Sequence, residues 1–213
     1  TMFCFITTDA DIEPSALRKS LQRAVEKSFN CITVDGDMST SDTAVVLANG
    51  KAGNQTIKNR TKAFDLFTEA LSEVCLRMAK AIVRDGEGAT KFITIHVTGA
   101  AGIDEAKKVG IAVANSPLVK TAFFGSDPNW GRIICAAGYS GVCVEESRIT
   151  IAVNGITLFD AGNVVPIDEK QVREKLGVSE ITVEIDLGMG EAETTVYTSD
   201  LSYEYVKINA EYT

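Results

Sequence analysis

Apolar residues along this chain recur with two different periods, and the alternation between them predicts a mixed α/β fold. Residues 2–7 form a short apolar run that ends in Thr7-Thr8-Asp9, the pattern of a strand entering a turn. Pro14 suits a first helical position, and Leu17, Leu21 and Val25 then share one face until Phe29-Asn30 closes the helix. Residues 31–34 read as a strand, and Asp35-Gly36-Asp37-Met38-Ser39-Thr40-Ser41-Asp42-Thr43 as a dense polar loop. The clearest helix spans residues 62–84, where Phe64, Phe67, Leu71, Val74, Met78 and Ile82 fall at helical spacing and Gly86 stands beyond the end. Residues 91–98 read as a strand. Residues 104–114 read as a helix with Ala106, Val109 and Val113 inward, and Ser116-Pro117 opens another through Ala122. After a loop at 125–132 and a small apolar segment at 133–138, the chain turns strand-rich at 149–153, 156–159, 181–185 and 194–197, with one helix at 168–176. There is no repeat and no low-complexity linker; residues 160–166 separate an α/β domain, 1–160, from a C-terminal lobe, 161–213. Elements of this kind stack as layered sheets covered by helices.

Charge narrows the partners. With 21 Lys+Arg against 29 Asp+Glu the formal charge is −8, which repels phosphate backbones and anionic membranes, so neither nucleic acid nor a membrane is expected as a partner. No apolar run reaches the roughly 18 residues that span a bilayer, and the first residues lack a basic leader, so a soluble chain that is not secreted in this form is expected. Cys4, Cys31, Cys75, Cys135 and Cys143 are widely spaced and mostly flanked by apolar residues, which reads as buried reduced thiols. No CxxC occurs and His96 is the sole histidine, so a zinc site has little to draw on; no metal and no cofactor is expected. His96 lies in the strand-like Phe92-Ile93-Thr94-Ile95-His96-Val97, where a hydrogen-bonded structural histidine is favoured over a triad base.

Three places carry candidate chemistry. Thr1 precedes Met2, so an initiator methionine was trimmed, the chain was cut, or self-cleavage exposed Thr1 as an N-terminal nucleophile. In the last case the hydroxyl attacks an acyl carbon while the residue's own α-amine, of a class with a reference pKa near ~8, accepts the proton. One residue then supplies nucleophile and base, and no Ser-His-Asp triad is needed. The loop 35–43 is not an EF-hand, because Val46 occupies the twelfth position where a bidentate Glu is required. Asp85-Gly86-Glu87-Gly88-Ala89-Thr90-Lys91 runs from helix to strand, the reverse of a Walker loop, which leaves Glu87 as a solvated turn residue or a substrate contact. In Gly125-Ser126-Asp127-Pro128-Asn129-Trp130-Gly131-Arg132 a structural corner is favoured over catalysis, with Asp127 capping the next turn and Trp130 plugging the core.

Taken in order, these motifs resemble the β chain of the ornithine acetyltransferases. The residues that carry the resemblance are Thr1-Met2, Thr8-Asp9-Ala10, Phe29 to Asp37 with Ser39-Thr40-Ser41-Asp42-Thr43, Leu47-Ala48-Asn49-Gly50 and the Asp85 to Lys91 stretch. Val97-Thr98-Gly99-Ala100, Asn115-Ser116-Pro117-Leu118-Val119-Lys120-Thr121-Ala122, Asp127 to Arg132 and the ending Tyr205 to Thr213 complete it. The resemblance implies an N-terminal-nucleophile-like fold of two sheets between helix layers, and a precursor that cleaves itself before Thr1 into an α chain and this β chain, assembled as α2β2. It implies transfer of an acetyl group from N-acetylornithine to glutamate in arginine biosynthesis, with acetyl-CoA as a donor in some members, in the cytoplasm or, in a eukaryote, the mitochondrial matrix. By position it makes Thr1 the nucleophile, places Glu87 and Asn209 against the amino-acid substrate, and puts the family's terminal Ser or Thr contact at Thr213 or the residue after it. The oxyanion donors, a Thr-Gly pair, and a substrate-contacting Lys are implied on the α chain. An amidohydrolase of the same architecture and a non-catalytic structural subunit are the alternatives.

Overall fold

In the computed structural model, which describes residues 1–211, the opening strand β1, Phe3–Thr8, pairs in parallel with β2, Thr43–Ala48, so that Phe3 faces Thr43 and Thr8 faces Ala48. Two helices cover this ribbon. Helix α1, Pro14–Glu26, starts on proline and buries Ala16, Ser20 and Ala24. Helix α2, Lys62–Arg84, buries Phe64, Thr68, Leu71, Cys75 and Ala79, spaced three or four residues apart. Val74 and Met78, expected on that face, are 41% and 44% exposed. The buried stripe uses smaller side chains instead, and Cys75 and Ala79 pack in one cluster with Cys4 and Ala24. Residues 31–34 form no strand: a 3-10 turn, Phe29–Cys31, buries Phe29 and Cys31, and an apolar run this short has no period to separate the two outcomes.

The chain divides into two compact units, residues 1–32 with 37–82, and residues 33–36 with those from 83 onward. The second unit is built on a six-stranded sheet. In chain order its strands are β3, Phe92–Ala100; β4, Thr150–Val153; β5, Ile156–Asp160; β6, Asn163–Val164; β7, Glu180–Asp186; and β8, Ala192–Ser199. Across the sheet they run β6-β5-β4-β7-β3-β8. Strand β3 pairs in parallel with β7 and antiparallel with β8, and β4 pairs antiparallel with β7. The expected division at residue 160 therefore falls inside the sheet, because β7 returns between β3 and β4 and binds the two sides of that boundary by backbone hydrogen bonds.

Strand β7 alternates buried Ile181, Val183 and Ile185 with exposed Glu180, Thr182, Glu184 and Asp186, so one face of the sheet is packed and the other polar. Helix α3, Ile103–Ala114, presses Ala106, Val109 and Val113 onto the apolar face, as its spacing predicts. A Cβ at Gly110 would stand 2.9 Å from Val196 Cγ2, which is why the helix carries glycine where it crosses β8. Two further helices follow the pattern: α4, Pro117–Phe124, and α6, Glu169–Leu176, capped by Asp168. Between them α5, Trp130–Gly138, is a helix where the sequence reads as a loop to residue 132 and a small apolar segment after it, because a run apolar along nearly its whole length shows no helical period. A last helix, α7, Tyr203–Ala210, was not legible in the pattern, because it buries none of its residues and so shows no apolar stripe. All five cysteines are free thiols. Cys4, Cys31 and Cys75 are buried as expected, but Cys135 and Cys143 are exposed. Among the described residues no helix is long and apolar enough to cross a membrane.

Candidate active site

Thr1 is exposed two residues before β1, and its hydroxyl shares a hydrogen bond of 2.8 Å with the hydroxyl of Ser39. The polar loop 35–43 supplies that partner and its support. Asp42 accepts Met2 N–H at 2.8 Å with one carboxylate oxygen and Ser39 N–H at 3.3 Å with the other, while Ser39 Oγ accepts Ser41 N–H at 3.2 Å. Thr43 N–H then donates to Met2 O at 2.9 Å, one step outside the ladder. The concentration of hydroxyls and a carboxylate in this loop thus holds the backbone beside Thr1 and gives its side chain one defined partner.

Glu87 and Asn209 meet in the second unit. Asn209 Nδ2 donates to Glu87 Oε2 at 2.8 Å and to Tyr205 O at 3.0 Å. Both partners are acceptors, so the two amide hydrogens point inward, and the atoms the pair has left to offer, Glu87 Oε1 and Asn209 Oδ1, are acceptors as well. A site of two acceptors, one of them a carboxylate, suits an ammonium group. The turn that presents Glu87 depends on Gly88, whose φ of +65° lies in the left-handed region and where a Cβ would run into the backbone of Tyr205 and Glu204. Ser202 Oγ closes the turn against α7 by donating to Gly88 O at 2.6 Å.

The ArgJ family profile matches residues 1–213. The chain belongs to the ArgJ family. It is 50% identical over 213 residues to the arginine biosynthesis bifunctional protein ArgJ of Geobacter sulfurreducens, covering 100% of this chain and 54% of that protein. The protein of the same name from Symbiobacterium thermophilum is 46% identical over 212 residues, covering 100% of this chain and 53% of its own length. The chain therefore spans about half the length of these curated relatives. A crystal structure of the arginine biosynthesis bifunctional protein ArgJ from Bacillus halodurans superposes with a TM-score of 0.96 at 42% identity, covering 100% of both chains. The layered α/β fold expected from the sequence is the ArgJ fold.

Behind the Glu87 turn this ArgJ chain carries a buried charged network that the sequence reading missed. Asp200, 3% exposed, accepts Thr90 N–H at 2.8 Å, Lys91 N–H at 2.9 Å and the Thr90 hydroxyl. Lys91 Nζ donates to Phe123 O at 2.6 Å, Ser126 Oγ at 2.7 Å and Leu176 O at 2.8 Å, using all three ammonium hydrogens. Burial lowers the Lys91 pKa, with the Asp200 carboxylate pulling the other way. Lys120, 2% exposed, donates to Thr198 Oγ1 at 3.0 Å and to Ser199 O. Burial brings its pKa down to about 8, against the opposing pull of Asp200 and Asp35. The signal for both lysines was an adjoining apolar pair, Phe92-Ile93 after Lys91 and Leu118-Val119 before Lys120; their acceptors come from distant segments and were not readable.

The other motif residues hold the frame. Asn129, rather than Asp127, caps α5 by accepting Arg132 N–H at 3.2 Å, because Asp127 Oδ2 instead accepts from Asn129 Nδ2 at 3.1 Å. Trp130 stacks on Phe159 with ring centroids 4.8 Å apart, the core role expected of it. His96 Nδ1 shares a hydrogen bond of 3.0 Å with Thr195 Oγ1 on β8, and its Nε2 lies 3.8 Å from Glu193 Oε2, which fits the structural reading of this histidine. Thr213 lies outside the described residues.

Proposed function

We propose that this chain is the β chain of an ornithine acetyltransferase that moves an acetyl group from N-acetylornithine to glutamate. The observation that carries the reading is the Glu87–Asn209 pair: it offers only acceptors, and N-acetylornithine brings one ammonium, at the end of its side chain. The name shared by the ArgJ relatives, arginine biosynthesis bifunctional protein, supports the same pathway. Acetyl-CoA is a second candidate donor, and the reaction is assigned to the cytoplasm.

In this reading Thr1 Oγ attacks the acetyl carbonyl of N-acetylornithine, and the α-amine of Thr1 takes the hydroxyl proton. Collapse of the tetrahedral intermediate breaks the C–N bond, and the same proton leaves with ornithine. The acetyl group now sits on Thr1 as an ester. The amine of glutamate attacks that ester, N-acetylglutamate departs, and a proton returns to Thr1 Oγ. The oxyanion donors belong to a partner α chain cut from the same precursor before Thr1, in an α2β2 assembly. Glu87 and Asn209 bind the amino acid, with the Ser or Thr contact at Thr213 or the residue after it.

The test is a rapid quench of the complete enzyme with N-acetylornithine and no glutamate, followed by mass analysis of the peptide that begins at Thr1. An acetyl adduct there is expected. Release of free acetate at full rate without glutamate would make the enzyme an amidohydrolase, and absence of any adduct or turnover would leave a structural subunit.

A further inference from the structure

Tyr205 links Asn209 to the body of its unit. Its hydroxyl donates to Asp35 Oδ2 at 3.0 Å, its carbonyl accepts Asn209 Nδ2 at 3.0 Å, and its backbone nitrogen lies where a Cβ on Gly88 would fall. Helix α7 needs such links. It has 8 residues, none of them buried, and helices shorter than about 12 residues are marginal in water without packing. Asp35 offers a fixed end, because the segment that carries it is tied down by Thr33: Thr33 N–H donates to Tyr197 O at 3.0 Å and its hydroxyl to Asn115 Oδ1 at 2.7 Å.

We propose that Tyr205 is a positioning residue for the amino-acid site, setting Asn209 against Glu87 by anchoring α7 to Asp35. The proposal rests on the reading that Glu87 and Asn209 bind the substrate. Removing the hydroxyl leaves the ring and backbone in place, so the helix still forms, but Asn209 samples more orientations and the two acceptors no longer converge on one ammonium. Binding weakens while the acyl chemistry at Thr1 is untouched.

The experiment is a double-mutant cycle in the complete enzyme, with KM for N-acetylornithine, kcat and thermal unfolding measured for Tyr205→Phe, Asn209→Ala and the pair. Tyr205→Phe is expected to raise KM about three- to tenfold, the worth of one hydrogen bond, with kcat and the unfolding temperature changed little. In the Asn209→Ala background the same substitution is expected to have almost no effect on KM. Asn209→Ala with an unchanged KM would remove the site itself and this proposal with it. Asn209→Ala with a raised KM, combined with a Tyr205→Phe effect that is absent, or that multiplies fully in the double variant, would keep the site and overturn the role of Tyr205. A loss confined to unfolding temperature would make Tyr205 structural only and would also overturn it.

Discussion

Asn209 reaches Glu87 across 122 positions of sequence, Nδ2 to Oε2 at 2.8 Å, and spends its second amide hydrogen on Tyr205 O four residues back on its own helix. The amide is thereby oriented by two acceptors, and the carboxylate has one oxygen free to face an incoming cation. Substituting either residue changes a different half of the arrangement.

Glu87→Gln keeps the shape of the side chain but removes the charge. If the pair holds an ammonium, kcat/KM for N-acetylornithine falls by about one to two powers of ten, the worth of a charge-assisted hydrogen bond. If Asn209 binds the amino acid, Asn209→Ala weakens substrate binding but leaves cleavage of the precursor intact, since cleavage involves no substrate. Steady-state kinetics beside a gel assay of processing checks both, and an effect on thermal stability alone would return Glu87 to a plain turn residue.

Under the proposed mechanism one hydroxyl performs both attacks, so Thr1→Ala is expected to abolish turnover and, in the full precursor, to block cleavage. Thr1→Ser keeps a hydroxyl and retains measurable turnover. Ser39→Ala removes the partner held 2.8 Å from Thr1 Oγ1 and is expected to lower kcat with less effect on KM. Acetyl transfer at normal rate in Thr1→Ala, or an adduct mapped to Cys4, would move the nucleophile elsewhere.

Gly88→Ala asks alanine to adopt a φ of +65° and places a Cβ against the backbone of Tyr205. The left-handed conformation alone costs about 1–2 kcal/mol. The contact pushes α7 off the turn, so KM rises together with the loss of stability. Chemical denaturation and kinetics on one preparation test this, and an unchanged KM would show that α7 is not held by the Gly88 contact.

Lys120 sets a pH dependence of stability. Its pKa is about 8 in the fold against an ordinary 10.5, lowered mainly by burial. Between those values the unfolded chain binds the proton and the folded chain does not, so this residue makes stability rise as pH climbs from about 8 towards 10.5, by at most about 1.4 kcal/mol per pH unit. Below pH 8 both states are protonated and the contribution is flat. Lys120→Met abolishes this component, which urea unfolding at pH 7.5, 9 and 10 measures as the difference between variant and parent; equal pH slopes would show that Lys120 stays charged.

Short-range pattern was enough for α3, β3 and α6, whose burial periods and ends are encoded in neighbouring residues such as Asp168, which caps α6 through Lys170 and Gln171 N–H. It was also enough to single out Thr1, and to mark Glu87 as a residue that two glycines leave accessible. The sequence could not place Asn209 by its own pattern; only the resemblance of the chain's ending did that. α7 has no buried stripe, and what meets Glu87 is a single side-chain amide. The same limit applies to Cys135: α5 is apolar along nearly its whole length, so nothing in the run 133–138 says that Ile133, Ala136 and Ala137 turn inward and Cys135 outward until the helix is seated on the sheet. Hydrophobic period is a local property of a chain and survives in the sequence. Which acceptor a buried Lys91 or Lys120 finds, and which turn the helix after β8 lands on, depends on where β3, β7 and β8 bring segments about 100 residues apart together, and that is settled only when the sheet closes its register.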